Sequence, residues 1–253
     1  MTTEKIAAFK ALHIPGDPLI LVNIWDAGSA RAVAAAGAKA IATGSFGVAG
    51  AQGRADGEDF PLADVFENLA RILSVTDLPV TIDMEAGYGA DPAAVGTSVA
   101  RAKAAGAAGI NMEDRLPGRS DLLAMADAAA RYRAAAATGI FVNARCDTFR
   151  GQDAVQDGDA LVAAMLERAR VYADAGAGSL FVPFLLDPKC IAAICNGSPL
   201  PVNILRGKGG PTHRELADLG VARISHGHQP WAAAMAWLTA QAKQVLSGAE
   251  PDY

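Results

Sequence analysis

The chain has 253 residues, of which 51% are hydrophobic and 19% charged, so it can bury a sizeable core and is not disordered. Its 22 basic and 27 acidic residues leave a net charge of −5, and aromatics make up 6%, which excludes a basic or base-stacking surface for nucleic acid. No apolar run reaches the ~18 residues of a membrane span, MTTEKIAAFK carries no signal core, and three cysteines cannot frame a disulfide scaffold, so the expectation is a cytoplasmic globular enzyme.

The first strand-length apolar run is PLILVNIW, 18–25, which ends in Asn23, Trp25 and Asp26 and leads to a helix at 27–36. A glycine closes that helix, and AKAIATG brings the chain to Thr43, Gly44 and Ser45. GVAGAQGRADGEDF, 47–60, is long, glycine-rich and polar, and reads as a mobile lid carrying Asp56 and Glu58. A helix at 62–74 precedes LPVTIDME, 78–85, with Asp83 and Glu85 at its end and Gly87, Tyr88 and Gly89 beyond. Asp91-Pro92 opens a helix at 91–105 as N-cap and first-turn proline, and AAGAAGINMED, 104–114, ends in Asn111, Glu113 and Asp114. A helix at 121–137 leads to GIFVNAR, 139–145, with Asn143 and Arg145, and then to Asp147. Next come a helix at 159–175, the run DAGAGSLFVP at 174–183, and a short helix at 188–195 opened by Asp187-Pro188. LPVNILRG, 200–207, carries Asn203 and Arg206, and a helix follows at 212–219. DLGVARISHG, 218–227, brings Ser225 and His226, with His228 beyond, and a last helix spans 230–246.

Eight strands thus alternate with eight helices, with no linker or charge run between them. This predicts an α/β fold, a (β/α)8 TIM barrel forming a single domain over 1–253. An open doubly wound sheet would carry a dinucleotide fingerprint after its first strand, where this chain has NIWDAGSAR. Barrels of this kind place their active site where the strands end. Residues two apart on a strand point the same way, so Asp83 and Glu85 aim together, as do Asn111 and Glu113, and Asn143 and Arg145. The acids Asp83, Glu85 and Glu113 converge, which is costly without a cation. Oxygen-only donors suit Mg²⁺, or Mn²⁺, rather than Zn²⁺. The competing reading is a structural network of these acids with Arg145 and other cations.

Thr43, Gly44 and Ser45 form either an ordinary turn or a set of backbone N–H donors for a carboxylate or oxyanion. Arg145 is a candidate clamp for an anionic substrate, and Asn203 a hydrogen-bond donor to it or to local backbone. For 47–60 the alternative is a disordered insertion. His226 and His228 read as polar lining or a metal pair, Cys190 and Cys195 as small buried residues, and Trp231 and Trp237 as packing or interface residues.

The phrases LVNIWDAGSAR, ATGSFGVAGAQGRADGE, LPVTIDMEAGYG, AAGAAGINMED, GIFVNARCDTF and PVNILRGKGGP cover most of the chain in order. Together they resemble the isocitrate lyase / phosphoenolpyruvate mutase superfamily. The resemblance implies an Mg²⁺-dependent enzyme acting on a 2-oxo acid or a related 2-hydroxy di- or tricarboxylate, at a C–C or C–P bond beside an enolpyruvate-like intermediate. It implies that Asp83 holds the metal most directly, and Glu85 and Glu113 partly through water. Gly44 and Ser45 would bind the substrate carboxylate or enolate oxygen, Trp25 would wall the pocket, Asp56 would close over the substrate, and Arg145 would neutralise its anion.

One loop departs from the pattern. Isocitrate and methylisocitrate lyases carry Lys-Lys/Arg-Cys-Gly-His after the fourth strand, with a catalytic cysteine. This chain has RLPGRSDLLAMADAAARYR, with Arg115 and Arg119 as its only early cations, and it lacks the mutase's lysine- and asparagine-bearing loop. The expected reaction is C–C cleavage or decarboxylation of a small carboxylate substrate through a metal-stabilised enolate, with Asp56 or Tyr88 as the base where one is needed. Alternatives are a C–P hydrolase or mutase on a phosphonopyruvate-like substrate, a phosphate-binding barrel isomerase suggested by GKGG at 207–210, and a binding protein without turnover. The apolar last helix, with Trp231, Met235, Trp237, Leu238 and Val245, predicts a homo-oligomer, dimer or tetramer. The superfamily exchanges this element between subunits. No nucleic-acid or membrane partner is expected.

Overall fold

In the computed structural model, which describes residues 2–251 and 253, the apolar runs become nine short parallel strands. They are β1 (Leu19–Leu21), β2 (Asn23–Ile24), β3 (Ile41–Thr43), β4 (Val80–Asp83), β5 (Gly109–Glu113), β6 (Phe141–Arg145), β7 (Ser179–Val182), β8 (Val202–Leu205) and β9 (Arg223–Ser225). Only Val22 separates β1 from β2; the first half pairs with β9 and the second with β3. The order β1-β9-β8-β7-β6-β5-β4-β3-β2 therefore closes into a barrel of the (β/α)8 type, as the alternating pattern predicts. Register then sets the mouth: Asp83 stands opposite Asn111, Asn111 opposite Asn143, and Glu113 opposite Arg145.

The helices are α1 (Thr2–Ala11), α2 (Ala27–Ala35), α3 (Ser45–Ala51), α4 (Leu62–Leu73), α5 (Pro92–Ala104), α6 (Met125–Ala136), α7 (Gly158–Asp174), α8 (Pro188–Gly197), α9 (His213–Asp218) and α10 (Gln229–Leu246). Asp91 and Asp187 cap α5 and α8 as expected, accepting the N–H groups of Ala94 and Cys190. Gly37, Gly106, Gly176 and Gly220 end their helices at φ between +87 and +106, where other residues are strained. No helix among the described residues is long and apolar enough to cross a membrane.

Two helices differ from the sequence reading. Helix α1 buries only Phe9, which plugs the barrel floor with Leu19, Leu21, Ala42 and Phe141. With one buried residue it has no apolar stripe to reveal it. Helix α3 occupies the first part of the segment taken as a lid. Gly47 and Gly50 serve there as close-approach residues: a Cβ on Gly50 would stand 2.8 Å from the Trp231 ring. Only 52–61 is loop.

Candidate active site

Strand ends bring Asp83, Glu85, Glu113 and Arg145 to one mouth of the barrel. Asp83 is held from three sides. Its Oδ2 accepts the Ser45 N–H at the start of α3 (3.2 Å), its Oδ1 accepts the Glu85 N–H (3.2 Å), and its own N–H donates to Thr43 Oγ1 (3.0 Å). Beyond it the backbone turns left-handed at Glu85 (φ +46), Gly87 (φ +102) and Tyr88 (φ +49). Such a conformation costs about 1–3 kcal/mol at a non-glycine residue and needs surrounding contacts to persist. Those contacts are present: Glu58 N–H donates to Glu85 Oε2 (2.7 Å), Tyr88 Oη to Glu85 Oε1 (3.1 Å), and Tyr88 N–H to Glu58 Oε1 (2.8 Å). The 52–61 loop is thereby docked on the mouth.

Burial pushes the Glu85 carboxyl up to about 8, and the charges of Asp83 and Asp56 add to the effect. Burial also raises Asp83, against the pull of Arg145. Glu113 rises to about 7, because burial, Asp147 and Asp83 together outweigh Arg145.

Arg145 is fully engaged. Its Nη1 meets Glu113 Oε2 (2.6 Å), and its Nε and Nη2 meet the two oxygens of Asp147 (2.7 and 2.9 Å). Burial alone would lower its pKa; Glu113 and Asp147 hold it above the ordinary value. Asp147 also accepts from Arg115 (2.7 Å) and Arg150 (3.4 Å), and its N–H donates to the buried Asp114. Asp114 in turn accepts from Tyr172 Oη (2.6 Å) and Arg168 (3.2 Å). The ion-pair network weighed against the metal reading therefore exists around Glu113 and Asp147. Asp83 and Glu85 have no cation in contact among the described residues. Asp147 lies two residues beyond Arg145, just past the end of β6, and this closeness in sequence is the signal that could have marked it as the arginine's partner.

A cavity of about 170 Å³ descends between Gly44, Ser45, Asp56, Asp83, Asn111 and Ser225. A second, of about 460 Å³, opens beside it between Asp56, Glu85, Glu113 and four arginines, Arg115, Arg119, Arg145 and Arg150. Several residues read as substrate contacts are engaged elsewhere. Thr43 is tied to Asp83 and Asn23. Gly44 N–H donates to the Ile24 carbonyl (3.2 Å) and Ser45 N–H to Asp83, because a helix start needs acceptors and Asp83 supplies one. Trp25 packs with Val48, Ala49 and Phe60 behind α3 and lines neither cavity.

Asn203 is fully buried; its Oδ1 accepts from Ser225 Oγ, and its Nδ2 has no partner. His226 is bonded to the Leu21 carbonyl and to His213, and His228 lines the smaller cavity. Gly207 and Gly210 make room for Leu186, whose Cδ2 lies 2.8 Å from either added Cβ. Among the described residues no three His, Cys, Asp or Glu side chains converge enough to enclose an ion by themselves. Mg²⁺ does not need that, since it keeps several waters and uses one or two carboxylates. Acids raised by burial and by Asp83's charge, with no sulfur or imidazole among them, fit such an ion.

The family model for phosphoenolpyruvate phosphomutase matches residues 9–246. An uncharacterized protein of Mycobacterium tuberculosis is 37% identical over 247 residues, which is 96% of this chain and 90% of that protein. The 2-methylisocitrate lyase of Salmonella typhimurium is 32% identical over 184 residues, covering 69% of this chain and 60% of that enzyme. A solved structure from Burkholderia cenocepacia J2315, provisionally named a phosphonomutase, superposes with a TM-score of 0.93 at 48% identity, over 96% of this chain and 99% of that one. The match runs through the whole barrel, and the chain belongs to the phosphoenolpyruvate phosphomutase family of the PEP mutase/isocitrate lyase superfamily.

Proposed function

We propose that the protein is an Mg²⁺-dependent lyase or decarboxylase that breaks a C–C bond of a 2-oxo acid or a related di- or tricarboxylate through an enolate. The observation that carries this reading is the group of acids at one mouth, raised by burial and further by Asp83's charge on Glu85 and Glu113, beside cavities lined by Arg145 and its neighbours. Asp83 would hold the ion directly, with Glu85 and Glu113 acting through water. When bound, Mg²⁺ supplies Lewis acidity that polarises a 2-oxo acid. Arg145, kept cationic by Glu113 and Asp147, presents positive charge to the substrate anion. Asp56, on the loop that Glu58 docks to Glu85, closes the mouth and excludes water.

The stretch after β5 offers no cysteine, histidine or lysine to protonate a large carbanion. Decarboxylation needs no base to start it, because CO₂ departs directly from the substrate carboxylate, and the small pyruvate enolate left behind takes its proton from solvent, which favours a β-carboxylated 2-oxo acid. Retro-aldol cleavage would need a base; Asp56 can take that role, whereas Tyr88, whose hydroxyl is pushed well above its ordinary pKa by burial and Glu85, is a poor one. Four arginines around the larger cavity favour a second reading, C–P cleavage of a phosphonopyruvate-like substrate, since guanidinium groups suit a phosphonate dianion. The test is a panel of 2-oxo acids, 2-hydroxy di- and tricarboxylates and phosphonopyruvate, with Mg²⁺ and with EDTA, following release of pyruvate, CO₂ and phosphate. Mg²⁺-dependent pyruvate with CO₂ is the expected result. Release of phosphate selects the second reading, and no turnover of any member refutes both.

A further inference from the structure

The barrel interior holds a charge that this chemistry leaves unused. Arg223, the first residue of β9, is 0% exposed. Its guanidinium has neutral partners only: Nη2 donates to Asn111 Oδ1 (3.1 Å), Nε donates to Ser225 Oγ (3.3 Å), and Nη1 has no partner. Phe9 of the floor plug packs on it, with its ring 5.9 Å away. Burial lowers its pKa to about 9, opposed by the charge of Asp83, so it is cationic at neutral pH. A buried cation without a counter-ion is destabilising relative to an apolar side chain of similar size. Stability is therefore a weak reason for an arginine at this position.

Its effect on its neighbours is directional. Arginine can only donate, so Asn111 must turn its Oδ1 toward it. The same oxygen accepts from Asn143 Nδ2 (2.8 Å), and Asn143 Oδ1 accepts from the Ser179 hydroxyl (2.6 Å). One guanidinium thus sets the polarity of the whole string and leaves Asn111 Nδ2 without a protein partner among the described residues. Asn111 lines the 170 Å³ cavity, two residues deeper than Glu113 and in register with Asp83.

We propose that Arg223 is a positioning residue for an anionic substrate: it holds Asn111 with Nδ2 turned into the cavity as a donor to a substrate oxygen, and it places a fixed positive charge beneath that oxygen. The proposal rests on the reading of the mouth as a 2-oxo acid site. It also assigns a use to the polar middle layer of the barrel, where Asn143, Ser179, Asn203 and Ser225 are buried.

The probe is oxalate, a planar dianion shaped like a pyruvate enolate, titrated calorimetrically into the full chain with Mg²⁺. Arg223→Met should weaken oxalate binding about tenfold or more, the worth of one hydrogen bond to a charged group. It should leave the affinity for Mg²⁺ alone unchanged or tighter, because a nearby positive charge is gone, and leave the melting temperature unchanged or higher. Loss of a purely structural residue would instead lower the melting temperature and weaken both ligands. Asn111→Ala should lose oxalate by a similar factor, and the double variant should be no weaker than either single one. Wild-type oxalate affinity in Arg223→Met overturns the proposal alone. If that variant does not fold, full oxalate affinity in Asn111→Ala overturns it. Absence of Mg²⁺-dependent oxalate binding by the wild type overturns the site reading and the proposal together.

Discussion

Glu85 combines a left-handed backbone with a carboxyl raised by burial and by two neighbouring acids. Its folded pKa of about 8 lies above the ordinary 4.5, so the native protein keeps a proton that the unfolded chain gives up. The stability from this group is full below about pH 4.5 and is lost as pH rises through about 8; Glu113 acts in the same sense up to about 7. The metal-free protein should therefore melt at progressively lower temperature across that window, and Glu85→Gln should flatten the slope. A melting temperature that climbs with pH, or an unchanged slope in the variant, would contradict this. Binding of Mg²⁺ requires the deprotonated acids, so its affinity should rise over the same window. Asp83→Ala should abolish both Mg²⁺ binding and turnover; an unaltered calorimetric titration would remove Asp83 from the proposed ligand set.

In the proposed function, the loop between α3 and α4 is the element that gates the mouth. Glycine freedom is confined to Gly53 (φ +69) and Gly57 (φ +104), since Gly47 and Gly50 are fixed against Trp231. The loop's anchor is Glu58, at φ +62, which exchanges hydrogen bonds with Glu85 and Tyr88. We expect Asp56→Ala to lower turnover at least tenfold while Mg²⁺ affinity changes by less than about threefold, the pattern of a gate that excludes water rather than a ligand. Equal losses in both quantities would make Asp56 part of the metal site. Limited proteolysis gives a second readout: cleavage within 52–61 should slow on addition of Mg²⁺ and oxalate.

At the scale of the molecule, α10 is the element left most open, packed on α3 through Trp231 but exposed along its second half. Among its 18 residues only Gln241 is buried, while Met235, Trp237, Leu238, Val245 and Leu246 are exposed. On the barrel, Ile20 and Val22 of the first stave are also open, at 42% and 39% exposure. Two apolar surfaces on one chain, a projecting helix and a bare strand face, suit a second copy better than solvent. We expect a homodimer or larger assembly at micromolar concentration, and Trp237→Lys with Leu238→Glu to shift it toward monomer in sedimentation experiments. A monomeric wild type would exclude this use of α10.

The amino-acid sequence alone determined the barrel and the end at which its acids gather; Asp83 and Glu85 meet there, but Glu85 stands past the end of β4 on a left-handed turn rather than on the strand. Local physics sets each of these: apolar runs of strand length, Asp-Pro caps, helix-ending glycines and the two-residue alternation of a pleat. The superfamily was legible as well, in phrases such as DMEAGYG and GINMED. Tertiary structure decided how neighbouring strands are registered, and hence that Glu113 meets Arg145 and that Asp147 takes the rest of that guanidinium. It turned the first glycines of the supposed lid into a helix seated on Trp231, and it engaged the Gly44 and Ser45 amides with the Ile24 carbonyl and with Asp83. It also placed Arg223, a single polar residue in an apolar run, beneath the acids with no counter-ion. Alternation along a strand is a property of neighbouring residues; register, burial and the charges they bring together arise only when distant strands close into one barrel.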